Sequence, residues 1–597
     1  MILQALNDYY ERKPKIGDGS VSRQEGVPPP GLEEKAISFV IVVDESGRFV
    51  NLEDVRLTDG RSKSGRPEIV PMSRDRPGKN AWQTAFLLWD HPRYVLGVLD
   101  EKDKPDMAEK RIGAFVKRLA EAFPDPSIDP GVLAVSRFYK QQDNFERLSR
   151  HDLWPEILRT TGNLSFRLRD VAGELVCQSA VVRRKAQVLF EEDPTAPEGI
   201  CLVSGNRGRI QVLHAATPLP TRASKSTAKL HSFNERAFES YGKRERQGEN
   251  APVSKRAAFA YTTALKRLMR RGSTQKLQIG DATTVFWAAR DTGFESDFAA
   301  FFDEPTEDNP DAGTKAVAEL LATVEQGVEK TFDSQTRFFV LGLAPNSARV
   351  AIRFWHVGTV ADMAERIARH FQDIKIVLPT DRHKEPPFLS IRLLLRSIAT
   401  ASSKWPEGDP EKVPPNLGGE LIRAILEGLP YPETMLHGAI RRIRAGEAVS
   451  YPRAAILKAC LNRRRNSTEE KIQMSLDCSN TNSGYRLGRL FAVLERIQEE
   501  AAGGHGKINA TIRDRFYGAA SSAPATVFPM LLRLKNHHLG KIVNVGRRKN
   551  LEALIGEIVD GLPPRFEPHL SLDNQGRFAV GYYHQRMHSS TYGKQGD

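Results

Sequence analysis

Cysteine is scarce in this 597-residue sequence. Four are present, Cys177, Cys201, Cys460 and Cys478, and none sits in a Cys-x-x-Cys pair. That spacing argues against both a disulfide framework and a zinc-finger pattern, and scattered thiols fit a reducing cytoplasm. Long apolar runs are missing too. No stretch of about 18 apolar residues occurs, so no membrane span is expected. The start, Met-Ile-Leu-Gln-Ala-Leu, turns polar at Asn7-Asp8 and lacks the pattern of a signal peptide. A cytoplasmic location is the expectation. Acidic residues are fewer than basic ones, 74 against 87, which leaves a net charge of +13. A surplus of this size favours a polyanionic partner.

Catalytic signatures are also lacking. There is no nucleophile elbow, zincin helix or dinucleotide fingerprint. Residues 60–66 (GRSKSGR) begin like a phosphate-binding loop, but Arg66 and Pro67 stand where a Lys and a Ser or Thr must hold phosphate and Mg²⁺. His151-Asp152 is the dipeptide of two-metal phosphohydrolases, without spaced His and Asp partners to complete a ligand set. His537-His538 falls near a helix end, where capping accounts for it. No catalytic residue, metal or other cofactor is therefore expected.

What is present is ample core material, 40% hydrophobic and 27% charged residues. At about 150 residues per domain the length suits several domains. The fold class expected is α+β: a strand-rich N-terminal region, then a helical region and a C-terminal helical bundle. The expected divisions are 1–230 (strand-rich, with a basic recognition loop), 231–360 (mixed α/β), 361–473 (helical and basic) and 474–597 (helical bundle). Residues 37–43 (ISFVIVV) and 48–50 flank Asp44-Glu45-Ser46-Gly47 as a hairpin should. Residues 164–168 alternate like a half-buried strand. Residues 200–203 and 210–213 flank another turn signal at Gly205-Asn206-Arg207-Gly208. Residues 254–271 place Ala257, Tyr261, Ala264, Leu265 and Leu268 on one helical face between Pro252 and Gly272. Residues 291–313 hold eight acids and no base, which reads as a solvated loop or a surface facing a basic neighbour. Residues 338–354 read as a hairpin, with Ala348, Val350, Ile352 and Phe354 on one face and Arg349 and Arg353 on the other. Helical periods follow at 362–374, 418–426, 435–443, 451–461, 485–501, 511–517, 526–538 and 550–559.

The basic residues are grouped. Residues 61–79 carry six Lys/Arg (Arg61, Lys63, Arg66, Arg74, Arg76 and Lys79) and two acids, among five Gly and Pro that make a loop. The stretch ends in Gly78-Lys79-Asn80, with Trp82 close behind. Gly permits close backbone approach, Lys supplies charge, and Asn can bond base edges. Residues 434–466 carry eight Lys/Arg against Glu447 alone, with Arg441, Arg442 and Arg444 on one helix and Arg463, Arg464 and Arg465 ending another. Such arginines can follow a phosphate backbone. Arg547-Arg548-Lys549 forms a third patch. Phe233, Tyr241, Phe259 and Tyr261 read as packing residues rather than base-stacking ones.

Several longer segments resemble one family. They are residues 1–10, Tyr94-Val95-Leu96-Gly97, Cys201-Leu202-Val203-Ser204-Gly205, residues 233–269 with FNERAFESYGKRERQGENAPVS and AAFAYTTAL, residues 341–355 (LGLAPNSARVAIRFW) and residues 385–395 (EPPFLSIRLLL). In this order they resemble the large subunit of the type I-C CRISPR surveillance complex, the I-C form of Cascade. The resemblance implies a non-catalytic subunit at the foot of a complex built on a CRISPR RNA, with backbone and foot subunits as partners. It implies recognition of the protospacer-adjacent motif in double-stranded target DNA, help in opening the duplex, guidance of the displaced strand, and a platform for a separate helicase-nuclease. It also implies a small subunit translated internally, for which Met474 is the candidate start by its position. On chemistry, Lys79 and Asn80 are expected at the flanking motif and Arg74 and Arg76 on nearby phosphates. The other readings are a nucleic-acid-processing enzyme with a dispersed active site, and a scaffold whose basic surface meets acidic proteins.

Overall fold

The computed structural model describes residues 2–16, 25–60, 62–74, 76, 78–160, 162–171, 173–192, 196–217, 219, 228–233, 235–243, 247–270, 272–302, 312–326, 335–346, 349–379, 388–464, 469–504 and 507–592. They divide into two compact units, one of Met1–Ala215 with His231–Arg267, the other of Ala216–Leu230 with Leu268–Asp597. The architecture is mixed α/β, strand-rich first and helical later, as the sequence indicates.

The first unit is built on β1 (Leu32–Val43), whose second half is a β-branched and aromatic run that favours a buried strand. One edge of β1 pairs antiparallel with β2 (Phe49–Asp54) and, through its first half, with β3 (Arg66–Pro71). Its other edge pairs parallel with β5 (Asn163–Leu168), which in turn carries the short β4 (Trp89–Asp90). The turn between β1 and β2 is organised by Asp44, whose Oδ1 accepts from Arg48 N at 2.9 Å and Ser46 Oγ at 2.6 Å, while Gly47 adopts φ +82°. Asn144, fully buried, accepts from Phe49 N at 2.8 Å and donates to Gly47 O and Phe138 O. That satisfies its amide and locks the hairpin to the helices.

This region holds more helix than its sequence suggests. Helices α1 (Ile2–Arg12), α2 (Met107–Ala122), α3 (Pro130–Phe138), α4 (Ala180–Glu191) and α5 (Lys255–Met269) all belong here wholly or in large part. The parallel pairing of β1 with β5 requires a long crossover, which α2 and α3 supply. Phe115, Phe138 and Phe166 close the core over the sheet. The stretch expected to be loop at 61–79 contains the whole of β3, with Ile69 and Val70 buried. The expected hairpin is displaced: Glu198–Ile200 pairs with Arg207–Arg209, so Arg207 and Gly208 of the expected turn lie in a strand, while 201–203 and 211–213 form none. On α5 the expected face is buried at Ala257, Tyr261, Ala264, Leu265 and Leu268.

The second unit opens with an antiparallel sheet, β6 (Lys276–Ile279), β7 (Ala282–Ala288), β8 (Arg337–Asn346) and β9 (Arg349–Thr359), in that order. The β8–β9 hairpin forms as expected, but its alternation does not hold. The register slips between Gly342 and Leu343, which face Phe354 and Ile352, so Arg353 is the extra residue of a bulge. Phe354 and Val350 turn inward while Ile352 is 48% exposed. A Cβ on Gly342 would lie 2.3 Å from the Phe354 ring, so only glycine fits beneath it. The acidic stretch is not simply solvated: Phe294–Phe302 is a helix that buries Phe294, Phe298, Phe301 and Phe302 in the core.

Helices α6 (Val360–Ile374), α7 (Ile391–Ile398), α8 (Leu417–Glu427), α9 (Glu433–Arg444), α10 (Tyr451–Asn462), α11 (Ser483–Ala501), α12 (Ile512–Ser522), α13 (Pro524–Leu539), α14 (Val545–Asp560) and α15 (Leu572–Tyr592) complete the unit. Thr359 and Asp362 form a capping box at the start of α6. One hydrophobic core runs from the sheet through to α15, across the expected division at 473/474. Gly576 of α15 faces Leu436 of α9 and Leu457 and Leu461 of α10. The longest helix, α15, has no strong apolar period in the sequence because it is buried on several sides. It crosses α11 at backbone distance. Cβ atoms on Gly484, Gly488 and Gly581 would lie 2.5, 2.0 and 2.1 Å from the carbonyl oxygens of Asn574, Phe578 and Tyr485.

Two outcomes follow from this packing. Gly488→Ala must force the two helices apart and should destabilise the second unit by about 2 kcal/mol in urea unfolding. Acid should also destabilise it. His370 and His584 are buried against the hydroxyls of Tyr431 and Tyr485, and burial pushes them down to about 3 and about 4. Unfolded, they would take a proton near pH 6.5. Their contribution is complete above about pH 6.5 and is lost as pH falls towards 4, so urea midpoints should drop between pH 7 and 5.

Candidate nucleic-acid interface

The polar loop at residues 74–83 is carried by Asp90 at the end of β4. The Asp90 carboxylate has no exposed surface. Its Oδ2 accepts from Phe86 N at 2.8 Å and from the Arg76 guanidinium, and its Oδ1 accepts from His91 N at 2.7 Å. Burial raises the Asp90 pKa, and the Arg76 charge pulls against it. Arg76 also donates through Nε to Thr84 O at 2.7 Å, and its Cζ lies 3.8 Å from the ring centres of both Phe86 and Tyr94. The Tyr94 hydroxyl donates to Ala81 O at 2.8 Å. His91, pushed down to about 4 by burial first and then by Arg93, Arg76 and Arg111, stays neutral at pH 7.

This framework holds one 3₁₀ turn, Gly78–Gln83, from beneath and leaves Asn80 exposed at its surface. Gly78 has φ +59°, a left-handed value that glycine adopts without strain. The backbone of Lys79 lies in the turn, and its side chain lies outside the described residues. Arg74 is exposed nearby and has no carboxylate partner among the described residues. It acts electrostatically on Arg118, whose pKa falls to about 10, mainly by burial and then by Arg74. Lys110 Nζ sits 5.7 Å from the Trp82 ring centre. The turn thus offers an amide edge, an indole and several cations on a fixed base. Arg76 is not one of those cations, because its guanidinium is committed to the framework. Asp90, absent from the residues expected from the sequence, belongs to the framework of the site. No short motif marks it, since its role depends on burial.

The remaining candidates fall into two groups. Several are neutralised internally. Lys63 lies 3.3 Å from Asp54, and Arg66 2.6 Å from Glu68. Arg353, on the bulged strand, pairs with Asp281, whereas Arg349 is half-buried beside the uncharged Asn346. Arg442 pairs with Glu447. Arg463 is interior: it pairs with Asp373, donates to Ala424 O and Leu429 O, and lies 4.4 Å over the Tyr431 ring. Arg464 is shared between Glu433 and Asp573. Arg547 is held by both carboxylate oxygens of Glu500, at 2.6 and 3.0 Å. Arg61 and Arg465 lie outside the described residues. Others face outward. Arg441 is exposed with no carboxylate partner among the described residues, and the exposed Arg444 donates to Gln575 at 3.4 Å. Arg548 and Lys549 have no carboxylate partner among the described residues either. They stand early in α14, where the helix dipole disfavours cations and favours anions, so helix stability does not explain them.

His151 has a structural environment rather than a ligand set. Its Nε2 lies 3.1 Å from Asn51 Oδ1 and its Nδ1 accepts from Leu153 N. Among the described residues no group of three or more His, Cys, Asp or Glu side chains is placed to hold a metal ion. No described helix is long and apolar enough to cross a membrane.

A rigid polar turn and outward arginines on a two-unit α/β chain are chemistry that suits a polyanionic partner. The particular assignment comes from comparison. The family described as CRISPR-associated protein (Cas_Csd1) matches residues 6–589, and the chain belongs to that family, the large subunit of type I-C Cascade. No curated protein matches the chain.

The framework makes one expectation testable. Asp90→Ala leaves the Arg76 cation in place with no carboxylate, and should cost about 3 kcal/mol in urea unfolding of the first unit.

Proposed function

We propose that this Cascade subunit reads the protospacer-adjacent motif in duplex DNA through the turn at Asn80, assists R-loop formation, and presents a platform to a separate helicase-nuclease. The observation that carries this reading is the exposed Asn80 amide, on a turn held by the Asp90–Arg76 pair and the Tyr94 hydroxyl, with Arg74 exposed a few residues before it in the chain. A base-reading group must be held still, and an amide can form paired bonds to adenine in the major groove. Guide–target pairing reads the rest of the sequence, so the protein needs only the short flanking motif and the backbone. In this reading the chain is a cytoplasmic, non-catalytic adaptor. Arg441, Arg444, Arg548 and Lys549 follow phosphates, and a product translated from near Met474 would carry α11 to α15.

The test is binding of the assembled complex to flanked and unflanked duplexes. Asn80→Ala should weaken flanked duplex by about tenfold and erase the preference for it. Equal affinity and preference in the variant would refute the placement. Changing Arg441, Arg444 and Arg548 together to Gln should reduce the salt slope by about 0.9 for each phosphate that is no longer neutralised. Metal-dependent strand cleavage by the purified chain, abolished by a point mutation, would favour an enzyme instead.

A further inference from the structure

Tyr241 is 96% exposed, the most exposed large apolar side chain among the described residues. Its backbone is also in an unusual place. Tyr241 has φ +54° and Gly242 φ +71°, and Lys243 N donates to Ser240 O at 3.1 Å. Positive φ at both central residues of a closed four-residue turn is the pattern of a type I′ turn. Glycine, Asn or Asp takes the first central position at least cost, and a bulky ring there is a true outlier.

The turn is fixed from one side chain. Asn250 accepts from Ser240 N at 3.0 Å through Oδ1 and donates through Nδ2 to Lys243 O at 3.3 Å, clamping both flanks. Lys243 Nζ adds a bond to Glu249 O at 2.7 Å. A strained residue elsewhere in this unit shows the usual compensation: Leu88 has φ +63° but is 1% exposed, so core packing holds it. Tyr241 gains no such burial. Its ring is held in water, on a rigid turn, at a conformational cost. Strain of this kind concentrates where a group is pre-organised for a partner.

We propose that Tyr241 is a stacking platform for an unpaired base of a nucleic-acid strand. The inference rests on the nucleic-acid reading above and deepens it by assigning a contact to single-stranded chain rather than duplex. Lys243, the last residue of the turn, supplies a positive charge next to the ring in the chain, which suits a polyanion. Every base offers a π-face, so one fixed aromatic binds strands without reading their sequence. The preformed turn lowers the ordering cost of binding.

The experiment uses the full chain with short single-stranded deoxyribo- and ribo-oligonucleotides carrying one 2-aminopurine. Fluorescence quenching on binding reports stacking, and a difference between the two probes assigns the strand type. Tyr241→Phe should bind within about twofold of the original chain and keep the quenching. Tyr241→Ala should bind about tenfold more weakly and lose it. Tyr241→Gly separates function from structure: it should raise the melting temperature, because glycine relieves the positive φ, while weakening strand binding like Tyr241→Ala. The proposal is overturned if Tyr241→Ala binds the strand as well as the original chain, or if Tyr241→Gly lowers the melting temperature. If strand binding is unaffected by Tyr241→Ala while Asn80→Ala still impairs flanked duplex, only the stacking platform fails. If the original chain binds neither strand, the platform is also overturned. Failure of Tyr241→Ala to assemble with partner proteins, at unchanged strand affinity, would assign the ring to a protein contact and overturn it too.

Discussion

A carboxylate with no exposed surface has to be hydrogen-bonded on every side, and Asp90 meets that demand by organising the loop above it. Its two backbone partners, Phe86 and His91, fix the chain on either side of β4, and its guanidinium partner reaches it from the far end of the loop. Because Arg76 then bonds to Thr84 and is enclosed by Phe86 and Tyr94, the loop between has little freedom. Asn80 is exposed without being loosely held. The physical requirement of the buried charge thus becomes the geometry of the candidate site.

The net charge of this chain is made of cations with different tasks. Arg463 and Arg489 are interior groups; Arg489 is 1% exposed and bonds to Gln585, Cys478 and Glu557. They cross-link helices and cannot meet a phosphate without unfolding. Arg74, Arg441, Arg548 and Lys549 have no such commitments to carboxylates among the described residues. Sequence clustering treats both kinds alike, so the run 463–465 reads as a surface patch when its first member is core.

The helical part of the second unit shows why local periodicity also has limits. Helix α11 and helix α15 approach closely enough that backbone oxygens of one meet glycines of the other. Such contact removes the need for a wide apolar stripe on α15, whose buried face includes Arg577, His584 and Gln585. A surface shared among α9, α10, α11 and α15 joins the segments on either side of Met474 into one core, whereas sequence alone suggests a separable bundle.

Much of the fold was legible locally. The run 37–43, the turn at Asp44–Gly47, the apolar face of α5, the β8–β9 hairpin and eight of the later helices follow from period, propensity and turn chemistry. The grouping of basic residues and the exposure of Asn80 beside Gly78 were legible as well. What the sequence could not reveal depends on neighbours distant in the chain. The bulge at Arg353 exposes Ile352 because Phe354 must lie over Gly342. Arg76 turns inward to the buried Asp90, and Arg463 turns inward to the half-buried Asp373 and the carbonyls of Ala424 and Leu429. Tyr241 reads as a packing aromatic by composition, yet the clamp from Asn250 fixes it in water. Local sequence determines which backbone shapes and charges are available, since those energies act within a few residues. Tertiary structure decides which charges are neutralised and which side chains meet solvent, since burial is a property of the whole fold.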